Sequence, residues 1–134
     1  MIKAIIFDFF GVVEKDGSPD DELVELIKTG LKPEYKIGMI SNSSGAAIRQ
    51  LLGKATDIFD DIVVSGQVNL YKPEPAIYEL AARRLNVGPE QCVYIDDTLI
   101  RCDGARTAGM QAIVYKDFRQ VKTELEAILN KGKE

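Results

Sequence analysis

Short apolar runs that stop at polar residues alternate along this chain with stretches of helical periodicity. Lys3 to Phe7 is apolar and rich in β-branched residues and ends at Asp8, as a buried parallel strand does. Lys15-Asp16-Gly17-Ser18 offers an Asp-Gly hairpin turn. Asp20 is placed to cap a helix with Leu23, Leu26 and Ile27 on one face, stopping near Gly30 and Pro33. Lys36 to Ile40 reads as a second strand. Gly45 to Leu52 reads as a short helix, capped by Ser43 or Ser44. Ile62 to Val64 is a third strand. Pro73, Glu74 and Pro75 open a longer helix with Ile77, Leu80, Ala81 and Leu85 at helical spacing. Val93 to Ile95 forms a fourth strand. Leu99 to Ala108 forms a helix stopped by Gly109, and Gln111 to Tyr115 a fifth strand. A last helix carries Phe118, Val121, Leu125, Ile128 and Leu129.

This alternation predicts an α/β fold: right-handed crossovers and a parallel sheet covered by helices on both faces. The 134 residues suit one domain with one sizeable core, and neither linker nor repeat interrupts them. In such sheets ligands bind beyond the carboxyl ends of the strands, where the strand order reverses. Functional residues are therefore sought immediately after strands.

Composition narrows the chemistry. A net charge of -4 provides no basic footprint for nucleic acid and no polybasic membrane patch. The apolar run before Asp8 is too short for a signal peptide or a membrane span, so the cytoplasm is the expected compartment. Cys92 and Cys102 lie outside any Cys-x-x-Cys pair and read as buried small hydrophobes. The absence of histidine excludes serine–histidine and cysteine–histidine nucleophile pairs and histidine-ligated zinc. Chemistry must then run on carboxylates, hydroxyls, lysine and backbone amides.

Four polar stations follow apolar runs: Asp8-Phe9-Phe10-Gly11, Ser41-Asn42-Ser43, Lys72-Pro73 and Asp96-Asp97-Thr98. A parallel sheet brings all four to one edge. Carboxylates held that close resist joint ionisation without a cation, and Mg2+ takes oxygen ligands. Ser41 can donate to a phosphoryl oxygen and Lys72 can neutralise charge on it. An aspartyl-phosphate is an established form of covalent catalysis.

The run IIFDFFGVV resembles the first motif of the haloacid dehalogenase-like (HAD) hydrolase superfamily, with Asp8 as nucleophile. GMISNSS resembles the second, with Ser41, and beside it Asn42, as phosphate binders. YKPEPAIYELA resembles the third, with Lys72. VYIDDTLIRCDGARTAGM resembles the fourth, with Asp97 as the main metal ligand and Asp96 before it. The resemblance implies a three-layer Rossmann-like fold with sheet order 5-4-1-2-3. It also implies a magnesium ion held by Asp8, the backbone carbonyl of Phe10, Asp96 and Asp97, with Asp8 and Lys72 catalytic.

The chain departs from the family pattern at three places. Phe10 stands where family phosphatases carry the general acid and base, and it can neither protonate a leaving group nor activate water. Arg101 stands where many relatives brace the metal site with Asp or Asn, and could pair with Asp97 or take a substrate anion. Only Glu14 to Tyr35 separate the first two motifs, room for a hairpin and a helix rather than a cap domain. Residues 1–134 are thus expected to form a single HAD core with an open site. The expected activity is magnesium-dependent hydrolysis of a phosphorylated substrate, weak for want of the acid, with the open edge leaving room for a homodimer. Two alternatives are a pseudoenzyme that binds a phosphorylated ligand or a partner, and a metal-independent dehalogenase. The order of the motifs excludes a receiver domain.

Overall fold

The computed structural model describes residues 1–131. Its centre is strand β1 (Ala4–Phe7), all four residues of which are buried. β4 (Lys36–Ser41) and β6 (Cys92–Asp96) flank it in parallel, so that Phe7 pairs with Met39 on one side and Ile95 on the other. β5 (Asp61–Val64) and β7 (Gln111–Val114) close the two edges, also in parallel.

Successive residues of a strand face opposite sides of the sheet, and β1 divides its side chains accordingly. Ile5 and Phe7 join a core with Leu23, Ile27, Ile48 and Leu125. Those residues belong to α1 (Asp21–Glu25) with its wider continuation Leu26–Leu31, to α2 (Gly45–Leu52) and to α6 (Phe118–Lys131). Ala4 and Ile6 join a second core with Tyr78, Ala81 and Ala105, from α4 (Pro75–Arg84) and α5 (Leu99–Thr107). Each large buried aliphatic or aromatic side chain contributes roughly 1.5–3 kcal/mol, so the two covered faces supply most of the favourable folding energy.

Local signals act where the sequence places them. Asp16 and Gly17, both at positive φ, turn the hairpin of β2 (Glu14–Lys15) and β3 (Ser18–Pro19). The Asp20 carboxylate accepts the Glu22 and Leu23 amides, and the Ser44 hydroxyl accepts the Ala47 amide. Both cysteines are buried and free. Among the described residues no helix is long and apolar enough to cross a membrane.

Two expectations need correction. In chain order the sheet reads β5-β4-β1-β6-β7, not 5-4-1-2-3. The difference is one of counting: the hairpin takes two places without joining the sheet, and the sheet strands numbered alone run 3-2-1-4-5, which is 5-4-1-2-3 read from the opposite edge. The long helix begins at Pro75 rather than Pro73, and the sequence pattern missed α3 (Ser65–Val68). Four residues are too few for helical periodicity to register.

Candidate active site

The sheet ends its three central strands at one pole, and three of the four stations meet there through their side chains. Asp8 follows β1 and is tied to the neighbouring β6, its amide donating to the Ile95 carbonyl at 2.9 Å. Asp96 is the last residue of β6 and wholly buried, whereas Asp97, one step beyond, is exposed. Carboxylate oxygens of Asp8, Asp96 and Asp97 lie within 4.8 Å of one another.

Lys72 arrives from the loop before α4 and is buried. Its ammonium donates to Asp8 Oδ1 at 2.6 Å, to the Ile40 carbonyl at 3.0 Å and to the Tyr94 hydroxyl at 2.9 Å, and lies 3.2 Å from Asp96 Oδ2. The Tyr94 hydroxyl donates in turn to Asp96 Oδ2 at 2.5 Å, and the Thr98 amide to Asp96 Oδ1 at 3.0 Å. Close packing makes this reach feasible: a Cβ on Gly104 of α5 would sit 2.3 Å from the Pro73 carbonyl oxygen, so only glycine lets α5 and the Lys72 loop approach.

Two carboxylates thus share one ammonium, with a third beside them. Burial pushes the Asp8 carboxyl up to about 6, against the pull of Lys72 and helped by the charge of Asp96. Burial, with hydrogen bonding and charge from Asp96, also raises Asp97. Burial and the Asp96 charge raise the Tyr94 phenol well above its usual range, so it stays a donor. One acceptor has no partner: Asp8 Oδ2 is buried without a hydrogen bond. An unpaired buried carboxylate oxygen beside two further carboxylates fits a hard, oxygen-ligated cation, and the donor set holds no sulfur or nitrogen that would favour zinc.

Phe10 supplies no acid. Its ring meets Phe9 edge-on at 4.8 Å and is 44% exposed. Gly11, at φ 82°, turns the chain there, its amide donating to the Glu14 carbonyl (3.0 Å) and to Glu14 Oε1 (3.2 Å). A Cβ on Gly11 would stand 2.3 Å from Asp97 Oδ2, which places this turn against the Asp97 carboxylate.

The second station is differently engaged. Ser41 Oγ accepts the Ser43 amide at 3.1 Å and bonds the Ser43 hydroxyl. Asn42 accepts the Lys72 amide at 3.2 Å and the Ser65 hydroxyl, and donates to the Lys72 carbonyl at 3.4 Å. Its side-chain amide is committed to holding the lysine loop. The Arg101 guanidinium forms no pair with Asp97; the Arg101 carbonyl accepts the Tyr78 hydroxyl at 2.7 Å. Sequence reasoning missed Tyr94, Ser65 and Glu14. The spacing of Tyr94 two residues before Asp96 puts both on one face of β6, a signal hidden because a phenol in an apolar strand reads as core.

Residues 11–109 match the family model for haloacid dehalogenase-like hydrolases. The chain belongs to this family. Among HAD-like relatives, a phosphatase of Mycobacterium tuberculosis is 35% identical over 111 residues, covering 79% of this chain and 49% of the relative. This chain spans half or less of the length of the curated relatives it matches. Among solved structures, an uncharacterized protein from Corynebacterium glutamicum is 25% identical with a TM-score of 0.84, covering 97% of this chain and 96% of that one. A HAD family enzyme of Bacteroides thetaiotaomicron, crystallised with magnesium and inorganic phosphate, shares the fold at 14% identity and TM-score 0.75, covering 90% of this chain and 99% of that one.

Proposed function

We propose that this HAD-like hydrolase cleaves a phosphorylated substrate by moving the phosphoryl group onto Asp8. The observation that carries the reading is the asymmetry of Asp8. Oδ1 is clamped by the Lys72 ammonium, while Oδ2 is buried and unpaired next to two further acids.

Asp8, Asp96, Asp97 and the Phe10 carbonyl are the groups that would hold magnesium. That ion would offset the repulsion between carboxylates and incoming phosphate. The relative crystallised with magnesium and inorganic phosphate supports this assignment by fold. Lys72 holds positive charge at Asp8, where negative charge gathers during transfer. Ser41, now bonded to Ser43, offers its hydroxyl to a phosphoryl oxygen, and Asn42 keeps Lys72 in place. Phe10 can hold no proton, so turnover is slow and favours leaving groups that depart unprotonated.

The test is a phosphatase screen with magnesium against Asp8→Asn. Loss of about a thousandfold or more in kcat is expected when the nucleophile is removed; turnover indifferent to the change rejects the mechanism. Phe10 also motivates a second reading, in which the site binds a phosphorylated ligand without cleaving it. Saturable binding of a phosphate mimic with no Asp8-dependent turnover would favour that reading. The converging carboxylates argue against metal-independent dehalogenation.

A further inference from the structure

Among the described residues five large apolar side chains are exposed, and four of them border the acidic cluster in the chain. Phe10 (44%) lies two residues after Asp8, and Tyr71 (45%) precedes Lys72. Leu99 (58%) and Ile100 (66%) open α5 directly after Asp96, Asp97 and Thr98. Scattered exposed apolar residues are ordinary, but a set gathered around one polar site asks for a ligand. The turn of Phe10 and Gly11 lies against Asp97, just ahead of Leu99, and the Lys72 side chain ties the Tyr71 loop to Asp8 and Asp96. All four therefore belong to the same end of the sheet.

We propose that this apolar rim receives the leaving group, and that the substrates are aryl or comparably apolar phosphate monoesters. The proposal rests on the reading of Asp8 as phosphoryl acceptor. The same residue, Phe10, removes the acid and adds apolar surface. A sugar alkoxide would need the missing proton and would present hydroxyls to Phe10, Leu99 and Ile100, whose side chains cannot bond them. A phenol needs neither. The bond from the Asp8 oxygen to phosphorus forms as the phosphorus–oxygen bond to the aryl group breaks, and the electron pair leaves on the phenolate. Water then hydrolyses the aspartyl-phosphate, restoring the carboxylate; one of its protons stays on inorganic phosphate and the other neutralises the phenolate.

The test compares 4-nitrophenyl phosphate with acetyl phosphate, both with magnesium. Both leaving groups depart unprotonated, and only the first has an apolar ring. In the double variant Leu99→Ser/Ile100→Ser the ratio of their kcat/KM values should fall about tenfold, the low end for lost apolar contacts, and through KM rather than kcat. The ratio is read on one enzyme preparation, so any loss of folded protein cancels. An unchanged ratio overturns the rim proposal and leaves Asp8 untouched, whereas Asp8→Asn without effect on either substrate overturns the underlying mechanism. Phenylphosphonate and methylphosphonate, which cannot turn over, give a binding readout. The wild-type protein with magnesium should bind the phenyl compound about tenfold more tightly and the double variant should not; equal binding by the wild type rejects the rim. A dimer that the double variant dissociates would assign the patch to a second copy of the chain, and also overturns the proposal.

Discussion

The inner and outer halves of the acidic site obey opposite rules. In the inner half every polar atom is matched: Asp96 receives Tyr94 and the Thr98 amide with the Lys72 ammonium 3.2 Å away, and Lys72 spends its protons on Asp8, Tyr94 and the Ile40 carbonyl. In the outer half Asp8 Oδ2 has no partner, Asp97 is exposed, and Phe10 shows an apolar face. Buried charge is tolerated only when fully paired, so the inner half is a fixed frame. Under the proposed function, a cation and a substrate would find their unsatisfied groups in the outer half.

Removing the ammonium should break this contrast most severely. Lys72→Met leaves Asp8 and Asp96 buried without their counter-charge, and about 3–5 kcal/mol of stability should be lost in denaturant unfolding. A loss below 1 kcal/mol would mean that the lysine is not the keystone of the inner half.

The next effect is a pH dependence. The Asp8 carboxyl titrates from 3.8 in the unfolded chain but near 6 in the folded one, because burial outweighs Lys72. Between those values the folded state binds more protons. Stability of the magnesium-free protein should therefore fall as pH rises from about 4 to about 6 and stay lower above, by on the order of 2–3 kcal/mol. Asp8→Asn should flatten that slope; a slope that persists would place the responsible group elsewhere.

Tyr94→Phe keeps the edge-on packing of this ring on Tyr78 but strips one donor from Asp96. About 1–3 kcal/mol should be lost, again by denaturant titration, and a neutral result would show that Lys72 and Thr98 suffice for Asp96.

At the outer edge, Asp97→Asn should change stability without magnesium by no more than about 0.5 kcal/mol, since the side chain is exposed. Its effect should appear on adding the metal. At a hundredfold excess over its dissociation constant, magnesium should stabilise the wild-type protein by about 2.7 kcal/mol and the variant by much less. Equal stabilisation of both would remove Asp97 from the ligand set.

Local signals were legible with little loss. Asp16-Gly17 turned the hairpin, Asp20 and Ser44 capped their helices, and the polar residues ending apolar runs stand at one pole of the sheet. Each depends on a few neighbouring residues whose backbone preferences act alone. Asn42 shows where such reading stopped: the motif suggested a phosphate binder, yet its amide is spent on the backbone of Lys72, 30 residues away. Arg101 could be imagined against Asp97, but its helix turns the guanidinium to no such pair.

By itself, the amino-acid order determined the alternation of strands and helices, the ends at which charged residues wait, and the lack of an acid at Phe10. These follow from hydrophobic period and from the chemistry of single side chains. Only the tertiary structure decided which hydrogen-bonding partners those residues took: Tyr94 for Asp96, Lys72 for Asp8, and none for Asp8 Oδ2. A strand's period names the face a side chain occupies, but its partner lies on another strand or loop brought near by packing the whole sheet.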